Sequence, residues 1–556
     1  MKKHGVLYAF ISLIILSSCQ IVNGDSSSSV ISEDNSVLSI EEITSENSSS
    51  SEEIISDYEE DELGFYKLNE SDYYHKLSVD GESVISYEDI PEGIPTSNSL
   101  KLFEEGNEIP LYNVKTNTSQ TWNAEAPNRI DNSVAIIQKS GPITLVLQTN
   151  FTLKHGVTIR PLNEDIEFSV DENKRLITFT IVESGQYTIE FRLNRTLHLF
   201  VDDLNMYEEE KNKPGVIYLG PGIHNKNNNS RIDSNNNFRI YSNQTVFLDY
   251  GAVLEGSFVS DSCSNIKIVG GGVIDGQKFA RSATTGSRQI PLDFNYCNNV
   301  EIHGITTLDP AGWTYNMYFN NTLKIDNIKI ISSRSNGDGI SLQSCQNVNV
   351  SNCFVRSWDD SLVVKNYPHW SNKNNHGTTR NIYFSNCILW TDLAQSMEIG
   401  FETIGKVMDN INFEDIIVLH NFHKPVISIH NGNNADVTNV KFKNILVEDA
   451  SLGKGDGTIN VIEFTTAFSS TWSTNHTTTE LGSIKGVTLE NIDIISTRND
   501  LKINILGCVD TRKGYNNSVH KISDITFIDL TINDELIDEN YKYLYTNEYV
   551  ENLKFL

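Results

Sequence analysis

The sequence predicts an all-β protein, a parallel β-helix preceded by a small antiparallel β-sandwich, and three observations carry that expectation. First, a unit of the form apolar-x-apolar-x-(Asn/Asp/Gly)-apolar recurs through the second part of the chain. It reads Val300-Glu-Ile-His-Gly304-Ile, Leu323-Lys-Ile-Asp-Asn327-Ile, Val348-Asn-Val-Ser-Asn352-Cys and Ile382-Tyr-Phe-Ser-Asn386-Cys. It continues as Ile411-Asn-Phe-Glu-Asp415-Ile, Val440-Lys-Phe-Lys-Asn444-Ile, Val487-Thr-Leu-Glu-Asn491-Ile and Ile525-Thr-Phe-Ile-Asp529-Leu. Second, the steps between the small polar residues are 23, 25, 34, 29, 29, 47 and 38. A repeat within roughly 20–50 residues marks a solenoid, and short β-branched strands make it a parallel β-helix. Third, from about 63 to 205 short alternating runs such as Ile143–Gln148, Leu176–Ile181 and Tyr187–Arg192 are separated by Gly, Asn, Pro and Asp, the pattern of a sandwich.

Taken in order, residues 1–19 read as an export signal of the lipoprotein type. Lys2, Lys3 and His4 precede the apolar run Val6–Leu16, which is short for a membrane span. Leu16-Ser-Ser-Cys19 resembles a lipoprotein box, with Cys19 the acylated residue. Residues 20–62, rich in Ser and Glu, cannot bury enough apolar surface to fold and read as a disordered linker. Residues 63–205 form the sandwich and 206–556 the β-helix. The protein is therefore expected to be secreted or held at the cell surface, touching a membrane only through the N-terminal lipid.

Composition narrows the partners. Lys+Arg 43 against Asp+Glu 73 gives a net charge of −30, and 13 of those acids lie between Asp25 and Glu62, where no Lys or Arg occurs. With no basic cluster, nucleic acid is not expected as a partner. Beyond Cys19 the cysteines are Cys263, Cys297, Cys345, Cys353, Cys387 and Cys508, with no Cys-x-x-Cys pair to suggest zinc or redox chemistry. No cofactor or metal is expected, and the chain is expected to act as a monomer.

Asn, Asp and Gly at the repeat bends have a structural explanation, since their side chains bond backbone at tight turns and stack from coil to coil. Asp415 and Asp529 are thereby ladder residues. Two segments place acids where no ladder needs them: Asn336-Gly-Asp338-Gly-Ile340 and Trp358-Asp359-Asp360-Ser361, followed by Lys365. Asp338 and Asp359 are 21 residues apart, about one coil. Adjacent coils lie about 4.8 Å apart, so three carboxyls would gather on one face. At least one of them should then hold its proton unusually tightly. Cleavage of a glycosidic bond needs such a set, one acid to protonate the leaving oxygen and a carboxylate to activate water. Three carboxylates could equally hold calcium.

These segments resemble the polygalacturonase-like glycosidases of glycoside hydrolase family 28 and their dextranase-like relatives of family 49, over roughly 214–535. Asn336-Gly-Asp338-Gly is similar to the family's Asn-Thr-Asp-Gly, and Asp359-Asp360 with Lys365 to its Asp-Asp-x-x-x-x-Lys. The resemblance implies a right-handed, pectin-lyase-like β-helix, hydrolysis with inversion, Asp359 as general acid, and Asp338 and Asp360 holding or activating the water. The sandwich looks more like the dextranase branch.

The departures bear on substrate. Gln395 stands where the family has the His of Gly-His-Gly, and Ser428 and His430 stand where it has Arg and Lys. Arg and Lys there would neutralise a uronate. Alternation turns Met397 and Ile399 inward and exposes Ser396, Glu398, Ser428, His430 and Glu463 to the cleft, a lining suited to neutral sugar hydroxyls. Lys365 is expected to tune the acids. Trp313 and Trp370, near Tyr315, Trp358 and Tyr367, are candidates for stacking on sugar rings, against burial inside the coil. The favoured substrate is a polysaccharide, pectin-type or a neutral α-glucan. A polysaccharide lyase using Lys365 or Arg356 as base, and a non-catalytic glycan-binding surface protein, remain open from the residues alone.

Overall fold

Every apolar-x-apolar run of the repeat lies within a strand, and each run is followed by a residue able to turn left-handed. The computed structural model describes residues 58–73, 82–119, 121–122, 129–191, 195–281, 289–366, 377–453, 456–469 and 481–556. The expected signal, Cys19 and the linker as far as residue 57 lie outside the described residues, and so do Tyr367 and Trp370 at 367–376. The linker's last residues, 58–62, are ordered against the sandwich, Asp61 accepting from Lys101 Nζ at 2.8 Å.

The N-terminal region is two stacked sheets, one of six strands and one of five. Inward residues such as Leu102, Ile137, Leu145, Phe179, Ile189 and Leu199 alternate along the strands and close a shared core. Pairing is antiparallel with one exception: Arg195–Asp203 runs parallel to Ile130–Ser140, Leu197 facing Ser133.

From Ile217–Leu219 onward the chain is a right-handed parallel β-helix. A 19-stranded sheet supplies two of its faces and an 11-stranded sheet the third. The third face runs through Tyr315–Tyr318, Ile340–Gln343, Leu362–Asn366, Met397–Thr403, Ile427–Asn431 and Asn460–Thr465. Its inner rows are Tyr315, Ile340, Leu362, Met397, Ile427 and Ile462, and beside them Met317, Leu342, Val364, Ile399, Ile429 and Phe464. All are fully buried. Each contributes about 1.5–3 kcal/mol by leaving water. Phe384, Phe413 and Phe442 stack inside successive coils with centroids 4.8 and 5.1 Å apart.

Bends follow the predicted ladder. Asn327, Asn352, Asn386, Asp415, Asn444, Asn491 and Asp529 all have φ between 50° and 56°, a conformation in which Asn and Asp are less disfavoured than other residues with a side chain. Asn386 donates to Asn352 at 2.6 Å and Asn444 to Asp415 at 2.8 Å. A second amide row, missed in the sequence, links Asn243, Asn265 and Asn299, and further on Asn321, Asn347, Asn381 and Asn410. No disulfide links the described cysteines; four of them, Cys297, Cys345, Cys353 and Cys387, are buried.

Sandwich and coils meet on the face that immediately precedes the third sheet. Tyr112, Val114, Val134 and Phe200 pack on Val273, Leu308, Ile331 and Phe354. Around that apolar centre Arg160 pairs with Glu190 at 2.9 Å and Glu448 at 2.6 Å, and Lys329 with Asp202 at 2.8 Å. Arg356 is buried between Asp392 and His198. No helix among the described residues is long and apolar enough to cross a membrane.

Candidate active site

The turns that lead into the third sheet carry the predicted acids. Gly339 N–H donates to Asp360 O at 2.8 Å and Ile340 N–H to Ser361 O at 2.9 Å, so the Asp338 turn lies directly against the Asp359–Asp360 turn of the next coil. Asn336 has φ 52°, and its side chain accepts from Arg281, which also donates to Ser335 Oγ at 3.2 Å.

The carboxyls converge on one ammonium. Lys365 Nζ stands 3.4 Å from Asp338 Oδ2 and 3.9 Å from Asp360 Oδ2. Asp338 also accepts from Ser341 Oγ at 3.4 Å. Asp338 and Asp360 are buried, whereas Asp359 keeps part of its surface open. Burial raises the Asp359 carboxyl to about 7; Asp338 adds to the rise, and Lys365 with the amides of Asp360 and Asn336 opposes it. Burial and then Asp359 push Asp360 well above the usual carboxylate range. Asp359, partly exposed, and Asp360, buried, therefore both hold protons tightly, and Asp360 shares the Lys365 cation with Asp338. Among the described residues no His, Cys, Asp and Glu group has a metal-holding geometry, and the Lys365 ammonium occupies the centre of these acids.

Gln395 braces the pair through its backbone. Its carbonyl accepts from Ser361 N–H at 2.9 Å and its N–H donates to Asp360 Oδ1 at 3.4 Å. Trp313 is partly exposed, with Lys365 Nζ 5.8 Å from its ring centroid.

Several placements differ from the alternation. Glu398 and Ser428 do point outward from the coil, in register with Val363 on one side and Glu463 on the other, and His430 does so in the next outward row between Gly400 and Thr465, but all three are covered rather than exposed. Their own bonds explain it. His430 Nδ1 meets Glu398 Oε1 at 2.9 Å, its Nε2 meets Glu463 Oε2 at 3.3 Å, and Ser428 Oγ donates to Glu398. Burial works against the imidazolium, yet the two glutamates outweigh it and hold His430 up to about 10. Phe401 stacks on its ring at 4.2 Å. Ser396 is not a cleft residue: it lies in a buried hydroxyl row from Ser357 through Ser361 and Thr391, capped by Asn421. Trp358 and Tyr315 are buried, Trp358 donating from Nε1 to Ser119 O at 2.9 Å.

Glu402, in none of the motifs, would be a solvated acid on sequence grounds alone. Its carboxylate instead lies 3.7 Å from Lys365 Nζ, where burial raises its pKa against the pull of the ammonium. The available signal was its spacing of four from Glu398, which keeps both on the outward face.

A parallel β-helix bearing an acid cluster at the mouth of one sheet is the architecture that the motifs resembled. The chain belongs to the glycosyl hydrolases family 28, whose family model matches residues 228–523. Among curated relatives, a polygalacturonase of Brassica napus is 30% identical over 116 residues, 19% of this chain and 29% of that protein. A probable polygalacturonase of Arabidopsis thaliana is 28% identical over 153 residues, 27% of this chain and 30% of that one. The matches thus span about three-tenths of the length of these relatives. Dex49A from Penicillium minioluteum shares the fold, with a TM-score of 0.53 at 13% identity, covering 84% of this chain and 90% of its own. That coverage is more than the coiled region alone accounts for.

Proposed function

We propose that this protein is a glycosidase that hydrolyses an extracellular polysaccharide with inversion, using Asp359 as general acid and Asp338 with Asp360 to hold and activate water. The observation that carries it is the division of labour among the acids. Asp359 is the least covered of the three and keeps its proton to about 7, while Asp338 and Asp360 flank Lys365. A donor must be protonated at working pH and a base must not be. Asp360, pushed well above the usual carboxylate range, holds a proton as Asp359 does, so Asp338 is assigned the base and Asp360 the holding of the water. Inversion requires the two functions to be separated by roughly 6.5–9.5 Å, leaving room for a water on the far face of the sugar. Trp313 is positioned to stack on a ring, and Asn336 and Gln395 frame the acids.

A neutral polymer such as an α-glucan is the favoured substrate. The two cations in the outward rows beside the acids are already engaged, Lys365 by Asp338, Asp360 and Glu402, and His430 by Glu398 and Glu463, while Arg281 at the edge of the site is bonded to Ser335 and Asn336. A uronate would have to compete with those carboxylates. A pectic substrate is the second reading, supported by the names of the curated relatives. Lyase chemistry is disfavoured because Arg356 is committed to Asp392 and Lys365 to three acids. Attachment at the cell surface through Cys19 belongs to the same proposal, and intact mass of the exported protein tests it.

The direct experiment incubates purified protein with polygalacturonate, α-glucans and galactan, and follows the first product anomer by proton NMR. The expected result is new reducing ends of inverted configuration from one class of polymer. Retention, an unsaturated ultraviolet-absorbing product, or binding without cleavage overturns the proposal.

A further inference from the structure

Glu402 lies outside every motif above, and a break in strand register brings it to the acids. Leu362–Asn366 pairs with Met397–Thr403 as Leu362↔Met397, Val363↔Glu398 and Val364↔Ile399, and the next pair is Asn366↔Thr403. Lys365 is thus opposed by three residues, Gly400, Phe401 and Glu402. Gly400 makes this bulge possible: its φ is 133°, and a Cβ there would lie 2.2 Å from His430 O. Without the extra residues Lys365 would face Gly400, and Glu402 would lie beyond its reach.

We propose that Glu402 is a positioning residue, the third counter-ion that holds Lys365 between Asp338 and Asp360 and keeps the ammonium's charge from being spent on those two alone. This rests on the hydrolytic roles proposed above. Around Nζ stand Asp338 at 3.4 Å, Glu402 at 3.7 Å and Asp360 at 3.9 Å, with Trp313 on a further side. Asp359 feels the same ammonium and Glu398 adds to the negative field at Asp360, while His430 is locked between Glu398 and Glu463. One positive charge serves three carboxylates. Removing the charge of Glu402 leaves the ammonium to the aspartates, so the field at Asp359 becomes more positive and its proton departs at lower pH.

The test is the pH profile of Glu402→Gln and Glu402→Asp. In Glu402→Gln the alkaline limb of kcat/KM should move to lower pH and kcat should fall, with KM changed by less than about twofold. Glu402→Asp keeps the charge and should keep the limb near its wild-type position. An unmoved limb in Glu402→Gln, or an equal shift in both variants, overturns the proposal, as does a fall in Tm with no change in the profile. If no polysaccharide is cleaved, the hydrolytic reading fails by itself. Titration of the 13C-labelled Asp359 carboxyl, wild type against Glu402→Gln, then reads the same displacement without substrate, and its absence contradicts the role of Glu402.

Discussion

Asp415 and Asp359 occupy opposite kinds of corner on the same solenoid. Asp415 bends the chain with φ 55° and accepts the Asn444 amide at 2.8 Å, one rung of an exposed row of amides. Asp359 turns the chain into the third sheet beside Asp338 and Asp360, two acids gathered on a single lysine. At the first corner the carboxylate replaces an amide and does what an amide does. At the second, acids crowd together although their mutual repulsion opposes folding. Turn chemistry accounts for the one and not for the other, and the excess is where catalysis is to be sought.

The comparison breaks first at the acids. Asp360→Asn should lower kcat by roughly 10²–10⁴-fold, the range of a lost acid–base group, with Tm maintained because an amide of the same shape replaces a carboxyl that burial already holds protonated. Next, His430→Leu leaves Glu398 and Glu463 facing an apolar group. The expected loss is about 3–5 kcal/mol in urea unfolding near neutral pH, as for a buried pair stripped of one partner. The folded pKa of His430 is raised from 6.5 to about 10. Its stabilisation is therefore complete below 6.5 and lost as pH rises through 10, so the gap between variant and wild type should narrow across that window.

A smaller effect is read in the wild-type pH profile. Asp359 is raised from 3.8 to about 7. The donor is protonated below that value, so activity should decline as pH rises through about 7. The same shift makes the folded protein hold a proton that the unfolded chain releases above 3.8, so stability contributed by that proton fades over the same interval. The smallest effect belongs to the ladder. Asp415→Asn keeps the left-handed bend and supplies an amide toward Asn386, so activity should stay within about twofold and stability should be unchanged or rise by up to about 1 kcal/mol.

Much of this was legible because a β-helix writes its register into the sequence. The spacing of Asn327, Asn352, Asn386 and Asn444 marks the bends, and alternation around Met397 and Ile399 separates inside from outside. Asp338, Asp359, Asp360 and Lys365 stood out because no bend needed them. What alternation cannot convey is cover. It turned Glu398, Ser428 and His430 outward correctly, but an outward residue stays exposed only if nothing answers its charge, and these three answer one another and Glu463. Glu402 was lost for a related reason: the bulge at Gly400 shifts register by a local backbone choice that the apolar pattern does not record. The sandwich's parallel pairing was equally hidden, because Arg195–Asp203 and Ile130–Ser140 alternate alike in either direction.

The most direct measurement is the hydrolysis rate of Asp359→Asn on the polymer that the wild-type protein cleaves, with circular dichroism and Tm taken on the same sample. A side chain of the same shape without a transferable proton should yield no reducing ends above background from a protein that is fully folded. A folded variant that cleaves at the wild-type rate would show that the proton comes from elsewhere.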